Sequence, residues 1–219
     1  EAEQMSTQCR AGFLAHCVGL SVLAATVLPA QAQRPAESLL PRFFPVVTGK
    51  NGYEQIIAAC DAVRPIKEPD AASEAGTSLS VKRAALRDLR VSRVLAALRQ
   101  GLAKPLIAPV GVSDEAWMEC YAPMRKLARL LGIEQHVRLA DGNVVGAIDS
   151  LRDGLRLAYL VQKEQLLGGL VGVAMSRIVL SRMLRHVEQL SEPGCRGLIA
   201  LAAEWTATPD PAILAIESE

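Results

Sequence analysis

Carboxylates are the side chains of this sequence that come closest to offering catalytic chemistry. Two of them held across a substrate could act as the general acid and base of a hydrolase. We consider Glu119, Glu134 and Glu164 as the candidates for such a pair. They are widely spaced and belong to no recognisable motif, so a hydrolase dyad requires the fold to bring two of them together.

A second pair of carboxylates, Asp149 and Asp153, lies one turn apart in a predicted helix. Arg152 and Arg156 alternate with them. Opposite charges at these spacings are typical of a solvent-exposed helix face on which neighbouring side chains form ion pairs. We therefore interpret the two aspartates as surface residues.

The histidines do not form a metal-binding pattern. A zinc protease needs two histidines one helical turn apart with a glutamate between them. After residue 32 the chain has only His136 and His186, and the nearest glutamates, Glu134 and Glu188, lie two positions away. Helical side chains two apart do not face each other. The sequence predicts two separate surface histidines, and no catalytic, cofactor-binding or metal site.

Cysteine and glycine patterns add no further chemistry. No cysteine belongs to a C-x-x-C pair, no serine lies in a nucleophile elbow, and no glycine-rich stretch has the pattern of a phosphate-binding loop. Cys60, Cys120 and Cys195 are widely spaced, so we interpret them as small buried apolar residues. One disulfide with a leftover thiol is the alternative.

Residues 1–32 are organised like a secretory signal peptide. Arg10 precedes an uncharged run at residues 11–28, and Ala30 and Ala32 occupy the small positions of a cleavage site. Cleavage after Ala32 would deliver the protein to the periplasm or the cell surface. The alternative is an uncleaved N-terminal anchor in the inner membrane, since the run is close to the length that spans a bilayer.

Composition favours helices. Apolar residues make up 50% of the 219-residue chain, whereas aromatic residues contribute only 4%. The formal net charge is +1, so bulk electrostatics does not indicate a nucleic-acid partner. We expect an all-α protein.

The predicted organisation has a proline-containing linker at residues 33–49 and an α-helical domain at residues 50–219. Asn51 is positioned to cap the first helix. A continuous helix is expected at residues 79–102, and its many basic residues are interpreted as a solvated face rather than a lipid or polyanion contact. The last predicted helix starts near Pro209 and the sequence stops within it, which suggests a truncated C-terminus.

The centre of the domain is predicted to be an αα-hairpin. A short helix capped by Ser113 should precede a long one that begins at Pro123. Asp141 and Gly142 then form a tight connection to the next helix, so the two long helices must lie antiparallel.

The segment LARLLGIEQHVRLADGNVVGAIDSLRDGLRLA, residues 127–158, resembles a degenerate tetratricopeptide unit. The resemblance implies antiparallel helix hairpins stacked as a right-handed array; a helical bundle is the alternative. The NGY sequence at Asn51 and the LVGVA sequence at Leu170 also resemble poorly characterised exported helical proteins of environmental bacteria, from which no activity carries over.

The helix predicted at residues 164–189 is the most apolar. Gly168, Gly172 and Ser176 recur every four residues, which allows a neighbouring backbone to approach closely. Arg177 and Arg182 interrupt the run, so we expect a buried helix of a soluble protein.

These observations favour an exported helical-repeat scaffold over an enzyme. Its stacked helices would contact a protein or peptide partner through their concave face. The alternatives are a cell-envelope hydrolase using a carboxylate pair and a membrane-anchored structural subunit, with lipid contact only if residues 11–28 are retained.

Overall fold

The computed structural model describes residues 37–67, 72, 76–162 and 166–207, and these residues form helices and no strand. The all-α prediction is confirmed for this part of the chain. The predicted signal peptide or anchor, Glu164 and the predicted C-terminal helix lie outside the described residues. In chain order the elements are α1 (Leu40–Phe43), α2 (Gly52–Val63), α3 (Leu79–Arg87), α4 (Leu89–Leu102), α5 (Asp114–Ala140), α6 (Val144–Gln162), α7 (Leu166–Leu184), a 3-10 turn (Val187–Gln189) and α8 (Glu192–Thr206).

The predicted αα-hairpin is present as α5 and α6. Gly142 closes the turn with φ at 73°, a left-handed conformation that favours glycine. Helix α7 runs antiparallel to α6 and packs against both α5 and α6. Leu127, Leu131, Leu151 and Leu155 lie in the resulting core, which therefore has three long helices at its centre.

Helices α2 and α4 form a second packed pair beside α5. Asn51 caps α2 as predicted, because its Oδ1 accepts a hydrogen bond of 3.1 Å from the Tyr53 backbone N–H. Gly52 and Gly101 allow the two backbones to approach, since a Cβ at either position would collide with the other helix.

The helix predicted at residues 79–102 is instead two helices. Asp88 has an extended conformation, with φ at −60° and ψ at 123°. Its carboxylate accepts a 2.8 Å hydrogen bond from the Arg90 backbone N–H and so caps α4. The cap ends α3, which packs against both α4 and α5.

Conversely, the short helix capped by Ser113 and the helix expected to start at Pro123 are one element. The Ser113 hydroxyl accepts from the Ala116 backbone N–H at 3.3 Å, and the helix continues through Pro123. Proline there removes one backbone hydrogen bond. Burial of Cys120 and Tyr121 before it and of Met124 after it holds both halves on the same core.

The expected linker also differs from the prediction over residues 37–49. It contains the single-turn helix α1, and Leu39 and Phe43 are buried in the core. The Phe43 ring packs edge-on against Trp117, with ring centroids 4.8 Å apart. This part of the chain is thus attached to the domain.

Small residues bring α7 close to α6, as predicted. A Cβ on Gly168 would contact the Val161 carbonyl oxygen, and one on Gly172 would lie 2.5 Å from the Ala158 carbonyl oxygen. By length and composition alone, residues 167–189 could also cross a membrane, with mean hydropathy 1.4 and a third of the tested window buried.

Candidate functional site

The two described carboxylates of the hypothetical hydrolase dyad do not come together. Glu119 and Glu134 both lie on α5, fifteen positions apart, which corresponds to about 22 Å along a helix axis. Glu119 lies at the surface and pairs with Arg42 at 2.9 Å and Arg64 at 3.6 Å. The third candidate, Glu164, is outside the described residues.

Glu134 instead anchors a buried network that joins α4, α5 and α6. It is 8% exposed and accepts hydrogen bonds from Arg99, from Arg138 at 3.0 Å and from the Ser150 hydroxyl at 2.8 Å. Arg99 also donates to Asp153 at 2.9 Å. Both carboxylate oxygens of Glu134 are therefore occupied by structural contacts.

Asp153 is therefore not the surface residue that its spacing indicates. Burial raises its pKa, although the Arg99 guanidinium opposes that change. Asp149 does form the predicted surface pair, at 2.9 Å from Arg152. Arg152 and Arg156 also reach across to Glu204 on α8, which ties α8 to α6.

The two histidines, predicted to be separate surface residues, are neighbours. The rings of His136 on α5 and His186 just after α7 have centroids 5.4 Å apart, and both are half-buried. They meet because α5 and α7 run in parallel, so that Gly132 faces Arg182 one turn before His136 faces His186. The described residues contain no group of three or more His, Cys, Asp and Glu residues arranged to hold a metal ion.

Basic side chains surround the histidines and form what we call the cationic cluster: Lys82, His136, Arg182, Arg185 and His186. Lys82 is only 1% exposed, and its Nζ lies 3.4 Å from His136 Nδ1. Burial lowers the pKa of Lys82, and Arg182 and Arg185 lower it further. Burial is likewise the main cause that lowers the pKa of His136 to about 4, with Lys82 and His186 adding to it.

Stability should therefore fall in acid because of His136. Its folded pKa is below its ordinary value, so the unfolded chain binds the proton first. The part of the folding free energy that depends on neutral His136 is fully present above pH 6.5 and is lost as the pH falls toward 4. Between pH 7.5 and 5 we expect the wild type to lose about 1 kcal/mol more than His136→Gln, allowing for solvent screening. Urea unfolding of both proteins at the two pH values measures this, and equal losses would contradict it.

Two loops at the N-terminal end of α2 form a second feature, the two-loop platform, made of residues 44–51 and 103–113. Asn51 joins the loops by donating to the Ile107 carbonyl at 2.7 Å and accepting from the Ile107 N–H at 3.2 Å. Lys104 Nζ donates to the Gly49 carbonyl at 2.7 Å, and the Gly52 N–H donates to the Pro105 carbonyl at 2.8 Å. The loops are thus held in one arrangement.

Glu54 on α2 is 3% exposed and connects the first loop to this helix by hydrogen bonds. Its carboxylate accepts from the backbone N–H and the hydroxyl of Thr48, both at 2.9 Å, and from the Gly49 N–H. The hydrogen bonds from Thr48 lower the pKa of Glu54. The loop is therefore ordered by a buried charge-assisted contact rather than by apolar packing.

Apolar side chains project to solvent from this ordered platform. The exposed fractions are 75% for Val46, 54% for Val47, 66% for Ile107 and 97% for Val110. Single exposed apolar residues are ordinary, but here four of them project from two loops that hydrogen bonds join, which makes these loops a candidate protein contact site. Sequence reasoning missed this feature because it follows from the pairing of two loops that are distant in the chain.

The cysteines are free thiols in the described part of the chain. Cys60 and Cys120 are buried, as predicted, and Cys195 is half-buried. Burial raises the pKa of Cys60, and a hydrogen bond with the Cys120 thiol adds to that effect. Both thiols are packing residues, and Cys60 accordingly has little thiolate character.

The geometry thus offers a structural carboxylate network, a cationic cluster and an apolar platform. No protein-family model matches the chain, and no curated protein or solved structure is significantly similar to it.

Proposed function

We propose that this protein is an exported helical scaffold that binds an apolar segment of a protein or peptide partner through the two-loop platform. The observation that carries the proposal is the display of Val46, Val47, Ile107 and Val110 on loops fixed by Asn51, Lys104 and Glu54. A surface that is ordered before binding loses little conformational entropy in a complex. Four outward apolar side chains supply the area that such a contact buries.

The acidic residues support a binding role over a hydrolytic one. Glu119 pairs with two arginines, and Glu134 pairs with two arginines and accepts a hydrogen bond from the Ser150 hydroxyl. A catalytic acid needs access to its substrate. Glu134 is buried and both its oxygens accept hydrogen bonds from neighbouring side chains, which suits a structural role.

Export and repeat stacking complete the proposed description. Export rests on the signal-like residues 1–32, and the proposed destination is the periplasm or the cell surface. The succession of α5, α6 and α7, each antiparallel to the one before, is compatible with a tetratricopeptide-like array. In this proposal the helices act as the rigid support that holds the platform in place.

Selection of a random peptide library on the immobilised full chain tests the proposal. We expect enriched peptides with a shared apolar motif. The double variant Val46→Lys/Val110→Lys should weaken their binding at least tenfold, because charged side chains would have to be desolvated at the contact. The thermal unfolding midpoint should not change, since both positions are exposed.

Val145→Lys is the matched control, because Val145 is 71% exposed on α6, away from the platform. It should bind the selected peptides like the wild type. Failure to enrich any motif would overturn the proposal. So would peptides that bind the double variant as tightly as the wild type.

A further inference from the structure

Two of the cysteines meet in the core between α2 and α5. Cys60 lies on α2 and Cys120 on α5, and neither side chain has any exposed surface. The two helices pack directly against each other. A hydrogen bond joins the two thiols, so the sulfur atoms are neighbours although the residues are sixty positions apart in the chain.

Ion pairs beside the thiols hold the two helices together at the same level. Arg64 Nη1 lies 3.6 Å from Asp61 Oδ1, and Arg64 Nη2 lies 3.6 Å from Glu119 Oε2. These two acidic residues are the direct sequence neighbours of the two cysteines, since Asp61 follows Cys60 and Glu119 precedes Cys120. The ion pairs do not involve sulfur, so they are separate evidence that positions 60 and 120 lie opposite each other.

A disulfide can form only between cysteines whose side chains point toward each other from backbones that lie close together. The hydrogen-bonded thiols of Cys60 and Cys120 point toward each other, and the helices that carry them are packed. Cys195, the third cysteine of the described residues, lies on α8, which packs against α6. The first two cysteines are therefore the pair that the fold brings together.

We propose that Cys60 and Cys120 form a disulfide that links α2 to α5 when the chain folds in an oxidising compartment. The inference rests on the proposed function only for the export that would supply such a compartment. It does not involve the two-loop platform, so either assignment could fail without affecting the other. Cys195 remains a free thiol.

The reaction is a thiol–disulfide exchange with an external disulfide, either oxidised glutathione or the disulfide of an oxidoreductase. The thiolate of one cysteine attacks a sulfur of the oxidant, which forms a mixed disulfide and releases one thiolate of the oxidant. The second cysteine then attacks the mixed disulfide at the protein sulfur and releases the other thiolate. The two cysteines lose two electrons and two protons in total, and the oxidant gains both and becomes two thiols.

Burial determines when this exchange can occur. In the folded chain both thiols are shielded from solvent, and burial raises the pKa of Cys60, so the reactive thiolate is scarce. The exchange therefore takes place while α2 and α5 are still coming together. Once formed, the disulfide is shielded from reductants and closes a long loop, which restricts the unfolded chain and stabilises the fold.

Oxidative refolding of the full chain tests the pair without relying on export. The reduced and denatured protein is diluted into an equimolar mixture of reduced and oxidised glutathione, and the remaining thiols are then alkylated. Peptide mapping by mass spectrometry should find a linked pair of peptides that contains Cys60 and Cys120, whereas Cys195 should be alkylated. We expect about ten linked chains for each unlinked one, because a buried disulfide resists reduction by glutathione.

Two variants provide matched comparisons. Cys195→Ser should keep the linked pair, whereas Cys120→Ala should leave Cys60 alkylated. Reduction with a phosphine should lower the thermal unfolding midpoint of the oxidised wild type by about 10 °C, the size expected for a disulfide that closes a loop of this length. The same treatment should not change the midpoint of Cys120→Ala.

The proposal is overturned if Cys60 and Cys120 are both alkylated in the refolded wild type, or if either is linked to another cysteine instead. These outcomes are read on the unmodified chain, so they do not require any variant to fold. Alkylation of the protein directly in the cells that produce it separates the pair from the proposed export. A pair that is linked in glutathione but reduced in the cells would support the disulfide chemistry and contradict export.

Discussion

Glu134→Gln should lower the free energy of unfolding by about 3–5 kcal/mol. The substitution leaves the Arg99 and Arg138 guanidinium groups facing a neutral amide in a largely buried network, and removing one partner of a buried ion pair has a cost of this size. Guanidinium chloride unfolding at pH 7, followed by circular dichroism, measures the change.

Glu119→Gln is the matched control on the same helix. Its side chain is 41% exposed and pairs with Arg42 and Arg64 at the surface, where such pairs contribute about 0–1 kcal/mol. Equal effects of the two substitutions would show that Glu134 does not anchor a buried network.

Gly172→Ala and Gly169→Ala should change stability in opposite directions. A methyl group at Gly172 would lie 2.5 Å from the Ala158 carbonyl oxygen and would force α6 and α7 apart. We expect a loss of about 1–3 kcal/mol from this overpacking. At Gly169 the nearest atom is the Gln162 carbonyl oxygen at 3.9 Å, so the alanine fits and should stabilise the helix by about 0.5–1 kcal/mol.

Thermal unfolding of the two glycine variants beside the wild type provides the measurement. A higher midpoint for Gly169→Ala and a lower one for Gly172→Ala would support the close approach of α6 and α7. A gain in stability from both substitutions would mean that the two helices are farther apart at Gly172 than the structure shows.

Local signals in the sequence were sufficient for several elements. The caps at Asn51 and Ser113 and the turn at Gly142 depend on side-chain and backbone preferences of a few neighbouring residues. The close contact of α6 and α7 followed from the spacing of Gly168 and Gly172. Each of these features is encoded within one or two helical turns.

Two helix boundaries were predicted wrongly. Asp88 is a good helix cap, but it stands among strong helix formers, so the break between α3 and α4 was not evident from propensity. Pro123 usually marks the start of a helix, yet buried side chains on both sides of it keep α5 continuous. At Pro123 tertiary contacts overrode a local preference, whereas at Asp88 the local cap outweighed the helix propensity of its neighbours.

One residue of the cationic cluster could have been noticed in the sequence. Lys82 lies between Leu79 and Leu86 at the spacing of an apolar helix face, where a lysine is unexpected. Its partners could not be identified, because His136 and His186 are fifty positions apart and meet only when α5 and α7 pack in parallel. The two-loop platform likewise depends on Asn51 reaching Ile107.

Contact between the two-loop platform and a partner can be detected by site-specific photo-crosslinking in the cells that produce the protein. A photoreactive amino acid is placed at Val110 in one variant and at Val145 in another. We expect a covalent adduct of one defined mass at Val110 and none at Val145. No adduct at Val110, or the same adducts at both positions, would contradict it.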